Sequence, residues 1–218
     1  MVNILVFGDS VTHGAWDPEG GWVQRLRKFL DQKTVTRPEF WNEDFFQVYN
    51  LGVSTVKGEN SGRLLKRLDA ELRARSEHDE TNIVILSIGK NDSCFIGETS
   101  NFSVPLEQFR ENILRIIDIA LTYTSALIFV STAPIDESKT NPVKWEINLH
   151  YKNEYLIKFN EAAQSVCNEK GLLFIDIYSP LSKLDYKSLL ADGLHPNSKG
   201  HELIFQEVIK SLEKNKLI

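Results

Sequence analysis

Asn3-Ile4-Leu5-Val6-Phe7-Gly8, followed at once by Asp9-Ser10-Val11-Thr12-His13-Gly14, decides the reading of the fold. From Ile4 the run is apolar without alternation. That pattern predicts a strand covered on both faces, as in a parallel sheet. The run ends on a glycine, and a turn rich in hydroxyl groups comes next. Four later runs repeat the pattern: Phe46–Asn50, Asn82–Ile88, Ala126–Thr132 and Leu172–Ile177. Between the runs the apolar spacing becomes helical. Trp22, Leu26 and Leu30 share one face, and so do Leu64, Leu68 and Leu72. Leu106, Phe109, Ile113, Ile116, Ile117 and Ala120 form the longest stripe. Pro105 is placed for a first helical turn, Gly171 for a helix stop, and Asn197 or Ser198 for the last N-cap. Strand and helix therefore alternate through the chain. Right-handed crossovers turn that order into an α/β doubly wound sheet with helices on both faces.

The chain has 218 residues and a mass of 24.9 kDa, which predicts one domain spanning residues 1–218. Hydrophobic residues make up 42% and charged residues 25%, which excludes a disordered chain, a collagen and a disulfide-stapled miniprotein. The net charge of −5 offers no overall basic face, which argues against a general nucleic-acid binder. Cys94 and Cys167 have no metal-ligand or redox-pair spacing, so they are expected as reduced, buried side chains. The first residues lack a basic n-region, and no run reaches the ~20 apolar residues of a membrane span. A soluble cytoplasmic protein without an integral membrane segment is the expectation. Oligomeric state is left open by the sequence.

The chemistry-bearing residues fall where strands end. After the first strand stands Gly8-Asp9-Ser10, and after the second Asn50-Leu51-Gly52. Gly89-Lys90-Asn91-Asp92 comes after the third, and Asp192-Gly193-Leu194-His195-Pro196 precedes the last helix. Open α/β sheets bind ligands at the carboxyl ends of their strands. The set supplies a hydroxyl, a close-approach backbone amide, a carboxamide, an imidazole and a carboxylate. Each has an ordinary alternative. Ser10 can cap a helix, Gly52 can serve a turn, Asn91 can close an Asx turn, and Asp192-Gly193 is a common turn pair. Two long connections, Lys90 to Val104 and Ala133 to about Leu149, lie after strand ends and are expected as site-building loops.

These blocks resemble the GDSL-type esterases and lipases, in the subgroup called SGNH hydrolases. Gly8-Asp9-Ser10 resembles the first family block, with Val11 where the name-giving leucine usually stands. Gly52 resembles the second, Gly89-Lys90-Asn91-Asp92 the third and Asp192-Gly193-Leu194-His195-Pro196 the last; Gly21-Trp22 is also similar to members of the family. The resemblance runs from Gly8 to His195 in the family's order. It implies a flavodoxin-like three-layer α/β/α sandwich on a five-stranded, mainly parallel sheet. The implied activity is hydrolysis of esters or thioesters through an acyl-enzyme, without cofactor or metal.

In that reading Ser10 is the nucleophile, His195 its base and Asp192 the orienter of the imidazole. The backbone N–H groups of Ser10 and Gly52 and the side-chain amide of Asn91 are the oxyanion donors. Asp9 is expected to hold the turn, and His13 and Trp145 are candidate substrate contacts. His78, His150 and His201 are expected at the surface. The mostly polar long loops predict short acyl groups on small soluble esters. Carboxyl ester, thioester, lysophospholipid and acetylated sugar stay open as substrates. So does transfer to an alcohol acceptor by an O-acyltransferase using the same residues. A non-catalytic nucleotide- or flavin-binding module is the rival from another class. Ser10, Thr12 and Gly14 could cradle a phosphate, but Asp9 would repel it and no Walker or dinucleotide fingerprint is present.

Overall fold

The computed structural model describes residues 1–36, 45–56, 58–76 and 80–218. Its central sheet is built from β1 (Val2–Gly8), β2 (Phe46–Gly52), β3 (Thr81–Ser87), β6 (Ala126–Val130) and β8 (Leu173–Ile175). The order is β2-β1-β3-β6-β8, and every pairing is parallel. This is the doubly wound sheet that the alternating pattern predicts, with its five strands at the expected places. The last strand is shorter than expected. It stops at Ile175, because Ile177 already caps a short helix, α7 (Tyr178–Ser182).

The pleat sorts the apolar runs into two cores. Ile4, Val6, Ile83 and Ile85 face one side and pack with Trp22, Leu26 and Leu30 of α2 (Gly21–Val35) and Val208 and Leu212 of α8 (Ser198–Lys214). Leu5, Phe7, Val84 and Leu86 face the other. They meet Leu64 and Leu68 of α3 (Ser61–Arg73), Phe109 and Ile113 of α4 (Leu106–Ala120), and Phe159 of α6 (Asn153–Glu169). A one-residue slip would exchange the two faces, so the double burial fixes the register. Trp22 is fully buried, which gives the Gly21-Trp22 pair a packing role. At the sheet edge β2 departs from the expected burial: Gln47 and Tyr49 are half-buried and Asn50 is exposed. Pro105 stands one residue outside α4 as its N-cap, and Asn197 caps α8 by accepting from the Gly200 N–H at 3.1 Å.

The two long connections are not plain loops. β4 (Phe95–Ile96) and β5 (Asn101–Phe102) come from the first, and β7 (Leu149–His150) ends the second. They pair antiparallel in the order β5-β4-β7. Sequence patterning missed this second sheet because two-residue strands carry no periodicity. Phe95 and Phe102 pack edge to face with centroids 6.0 Å apart, and Phe102 meets Phe159 at 5.3 Å. The small sheet is thereby clamped onto α6. A short α5 (Glu137–Thr140) precedes β7, and a 3₁₀ turn (Tyr186–Leu189) leads towards the last block. Among the described residues no helix is long and apolar enough to cross a membrane. His78, expected at the surface, lies outside the described residues.

Candidate active site

Parallel register aligns three strand ends. Gly8 pairs with Gly52 on one side and with Ser87 on the other. The segments leaving these strands therefore emerge along one edge. After β1 the chain turns directly into α1 (Ser10–His13), whose N-cap is Asp9. The Asp9 carboxylate accepts from the Val11 N–H at 2.9 Å, so the capping role belongs to Asp9 and the Ser10 hydroxyl is left for other work. A Cβ on Gly52 would stand 2.2 Å from the His13 nitrogen. Only glycine allows β2 to approach the first turn of α1 this closely.

His195 reaches Ser10 from the loop before α8. The Ser10 Oγ lies 2.9 Å from His195 Nε2, and His195 Nδ1 lies 2.8 Å from Asp192 Oδ2. The other carboxylate oxygen of Asp192 accepts from the backbone N–H groups of Leu194 and His195, both at 2.8 Å. Asp192 thus closes the turn and faces the ring with one side chain. Its partial burial works against ionisation. The hydrogen bonds from His195 and Leu194 outweigh that burial and hold the carboxyl well below the usual carboxylate range. The imidazole is 12% exposed, enough for a small molecule to reach it.

The sequence pattern does not single out Trp16. Its backbone is left-handed, with φ of 64°, and its side chain is 64% exposed. The indole N–H lies 3.0 Å from His195 Nδ1, the same nitrogen that faces Asp192. Nδ1 serves one of them at a time. A protonated Nδ1 donates to Asp192 and leaves Nε2 free to accept from Ser10, whereas an unprotonated one accepts from Trp16. The ionised carboxylate favours the first arrangement, since charge-assisted bonds are the stronger ones. A lone exposed tryptophan carries no periodicity that would mark it for this place.

Asn91 is 9% exposed and makes no Asx turn. One amide hydrogen goes to the Glu59 carbonyl at 2.8 Å, and Asn91 Oδ1 accepts from the Tyr151 hydroxyl at 3.0 Å. Among the described residues the second amide hydrogen has no acceptor. Gly58 backs the amide with φ of 67°; a Cβ there would stand 2.7 Å from Asn91 Cγ. Asp92 is fully buried and accepts from the Ser61 N–H at 3.0 Å and from its hydroxyl, which pins the start of α3. Burial pushes Asp92 up to about 7 against those bonds. Lys90 is buried as well, and its ammonium donates to the Leu194 carbonyl at 2.9 Å, beside His195. Burial lowers the lysine and raises Asp9, while each opposes the shift of the other.

The Gly52 N–H donates to the Asn50 side-chain oxygen at 3.0 Å, so this expected oxyanion donor is engaged by its own strand. His13 is exposed on α1, and Trp145 is 58% exposed in the connection before β7. His201, expected at the surface, is fully buried beneath Gly21; burial pushes its ring down to about 4, so it packs as a neutral side chain. His150 is half-buried and pairs with Asn141. Cys94 and Cys167 are free and buried.

The model of the GDSL-like Lipase/Acylhydrolase family matches residues 6–203. The chain belongs to this family. Among curated GDSL-type relatives, the isoamyl acetate-hydrolyzing esterase of Saccharomyces cerevisiae is 29% identical, over 96% of this chain and 85% of its own length. An isoamyl acetate-hydrolyzing esterase 1 homolog of Bos taurus is 28% identical, over 97% and 81%. Among solved structures, a lipase/acylhydrolase from Enterococcus faecalis superposes with a TM-score of 0.73 at 22% identity, covering 99% of this chain and 97% of that one. That likeness shows the three-layer fold. Membership in the GDSL family makes the chain a serine hydrolase that acts on ester bonds.

Proposed function

We propose that residues 1–218 work as one cytoplasmic esterase unit that removes short acyl groups from small esters through an acyl-enzyme on Ser10. The observation that carries this reading is the continuous chain Ser10–His195–Asp192, with contacts of 2.9 and 2.8 Å. Ser10 Oγ attacks the ester carbonyl while its proton passes to His195 Nε2. Asp192 holds the opposite nitrogen protonated and steadies the imidazolium that forms. The proton then goes to the leaving alcohol as the carbon–oxygen bond breaks. Water enters, gives a proton to Nε2 and attacks the acyl carbon; the bond from that carbon to Ser10 Oγ then breaks, Nε2 returns the proton to Oγ, and the acid is released. The tetrahedral oxyanion is met by the Ser10 N–H, by the free amide hydrogen of Asn91 and by the Gly52 N–H once the ligand displaces Asn50. Two buried free thiols support the cytoplasmic assignment.

The Asn91 role predicts a kinetic signature. A lost oxyanion donor typically costs about 10²–10³ in turnover. Asn91→Ala is expected to lower kcat by that factor with KM changed little. A loss confined to KM would make Asn91 a binding residue instead.

Substrate size is set by the small sheet. The Saccharomyces cerevisiae relative is named for hydrolysing isoamyl acetate, an ester of a short acyl group, and here the long connections are mostly polar: Glu98-Thr99-Ser100-Asn101 and Asp136-Glu137-Ser138-Lys139-Thr140-Asn141. Phe95 and Phe102, which could have lined an acyl channel, are spent on packing against each other and α6. His13 and Trp145 are the exposed side chains proposed to meet the substrate. Each buried methylene adds about 0.8 kcal/mol, so a deep channel would give efficiency that climbs with chain length. Nitrophenyl esters from acetate upward are expected to plateau in kcat/KM by butyrate and then decline. A steady climb into long chains, with activation at the micelle threshold, would assign the small sheet to a lipid-binding lid.

A further inference from the structure

We infer that Tyr151 is a positioning residue of the oxyanion site: its hydroxyl locks the Asn91 carboxamide with the free N–H turned towards the reacting carbonyl. The inference rests on the donor role of Asn91 proposed above and adds to it the group that aims the donor. A carboxamide has two nearly isosteric orientations, and only one of them offers an N–H to an oxyanion. The Glu59 carbonyl can only accept, so it selects the amide nitrogen at 2.8 Å. Tyr151 then occupies Oδ1 from the other side at 3.0 Å. Gly58 closes the third side, against Asn91 Cγ. With both ends of the amide spoken for, its plane cannot swing.

The fold explains why a residue so distant in sequence arrives there. β4 and β7 pair with Phe95 opposite His150 and Ile96 opposite Leu149. One step further along that antiparallel register, Cys94 faces Tyr151. Cys94 lies three residues after Asn91, so the small sheet delivers the phenol to the end of β3. Tyr151 is anchored by its own backbone: its N–H donates to the Thr140 carbonyl at 2.9 Å, and its carbonyl accepts from the Thr140 hydroxyl at 3.2 Å. Tyr151 is 6% exposed and packs with Ile135, Val143, Leu156 and Leu194. Leu194 adjoins His195, so one apolar cluster supports both the donor's lock and the base's loop. Burial pushes the phenol well above its ordinary range, which keeps it an O–H donor. A bond into Oδ1 also polarises the amide and strengthens its remaining N–H as a donor.

Tyr151→Phe removes one oxygen and keeps the ring in its cluster. Its kcat is expected to fall about tenfold with KM within twofold. In an Asn91→Ala background the same change is expected to cost less than twofold, because the lock then has nothing to hold. A second readout separates aiming from general damage. Sulfur accepts hydrogen bonds poorly, so the rate ratio between an ester and its thionoester reports the oxyanion donors. That ratio is taken within one preparation and does not depend on the fraction of protein that is folded. It should shrink several-fold in Tyr151→Phe. Wild-type kcat in this variant, an unchanged ratio, or an equal loss in both backgrounds would overturn the inference alone. An Asn91→Ala enzyme with undiminished kcat would overturn the donor role and the inference with it.

Discussion

Ser10→Ala is expected to lower kcat by about 10⁵–10⁶ while leaving the fold intact, since a serine nucleophile removed from a hydrolase leaves only binding and oxyanion stabilisation. The fold should survive because the structural duty at this turn falls on its neighbours. Asp9 caps α1 by accepting from the Val11 N–H, and Gly8 and Gly52 provide the close approach beneath it. Ser10 contributes its hydroxyl to His195 at 2.9 Å, a half-buried bond whose loss changes stability by about 1 kcal/mol. The check is a pair of measurements on one preparation: steady-state turnover of a short-chain nitrophenyl ester, and the thermal midpoint. Activity within tenfold of wild type would remove Ser10 from the chemistry.

Asp192→Asn is expected to cost about 10⁴ in kcat, for a reason visible in the bonds around the ring. The asparagine oxygen can still accept from the Leu194 and His195 N–H groups, as Asp192 does at 2.8 Å, so the loop keeps its shape. Its amide nitrogen then faces His195 Nδ1 with a donor. Nδ1 must become an acceptor, and the proton moves to Nε2, pointing at Ser10. Such an imidazole cannot take the hydroxyl proton. The Trp16 indole, 3.0 Å from Nδ1, donates to that same wrong tautomer and deepens the loss. Asp192→Asn with Trp16→Phe should therefore be somewhat more active than Asp192→Asn alone. Kinetics of the two variants check this, and a loss below tenfold in Asp192→Asn would show that another group orients the ring.

The parts of this protein that were legible in its sequence are those with strong periodicity or forced position. The unbroken runs at Ile4 to Phe7 and Ile83 to Leu86 suit strands covered twice, and the cores they feed lie on both sheet faces. Ser10, Gly52, Asn91 and His195 read together as candidates because each stands at a strand end or just before the last helix, and the structure brings Ser10 and His195 to 2.9 Å. The small sheet was not. Its strands are two residues long, and pairing between Phe95 and His150 across distant connections leaves no local trace. Tyr151 was missed for the same reason, since its role depends on that register. His201 reads as a surface residue from its charged neighbours, Lys199 and Glu202. It is buried because α8 packs against α2, where Gly21 leaves room for the ring. Gly52 was legible as a close approach, but the bond from its N–H to Asn50 depends on a side-chain rotamer that no pattern encodes.

The central claim is that a covalent bond forms at Ser10 Oγ, and trapping it tests that claim most directly. The enzyme is treated with a fluorophosphonate, digested, and mapped by peptide mass spectrometry. One adduct per chain is expected, on the peptide that contains Ser10. It should vanish in Ser10→Ala and form far more slowly in Asp192→Asn. Stoichiometric labelling of another residue, with hydrolysis intact in Ser10→Ala, would contradict the account.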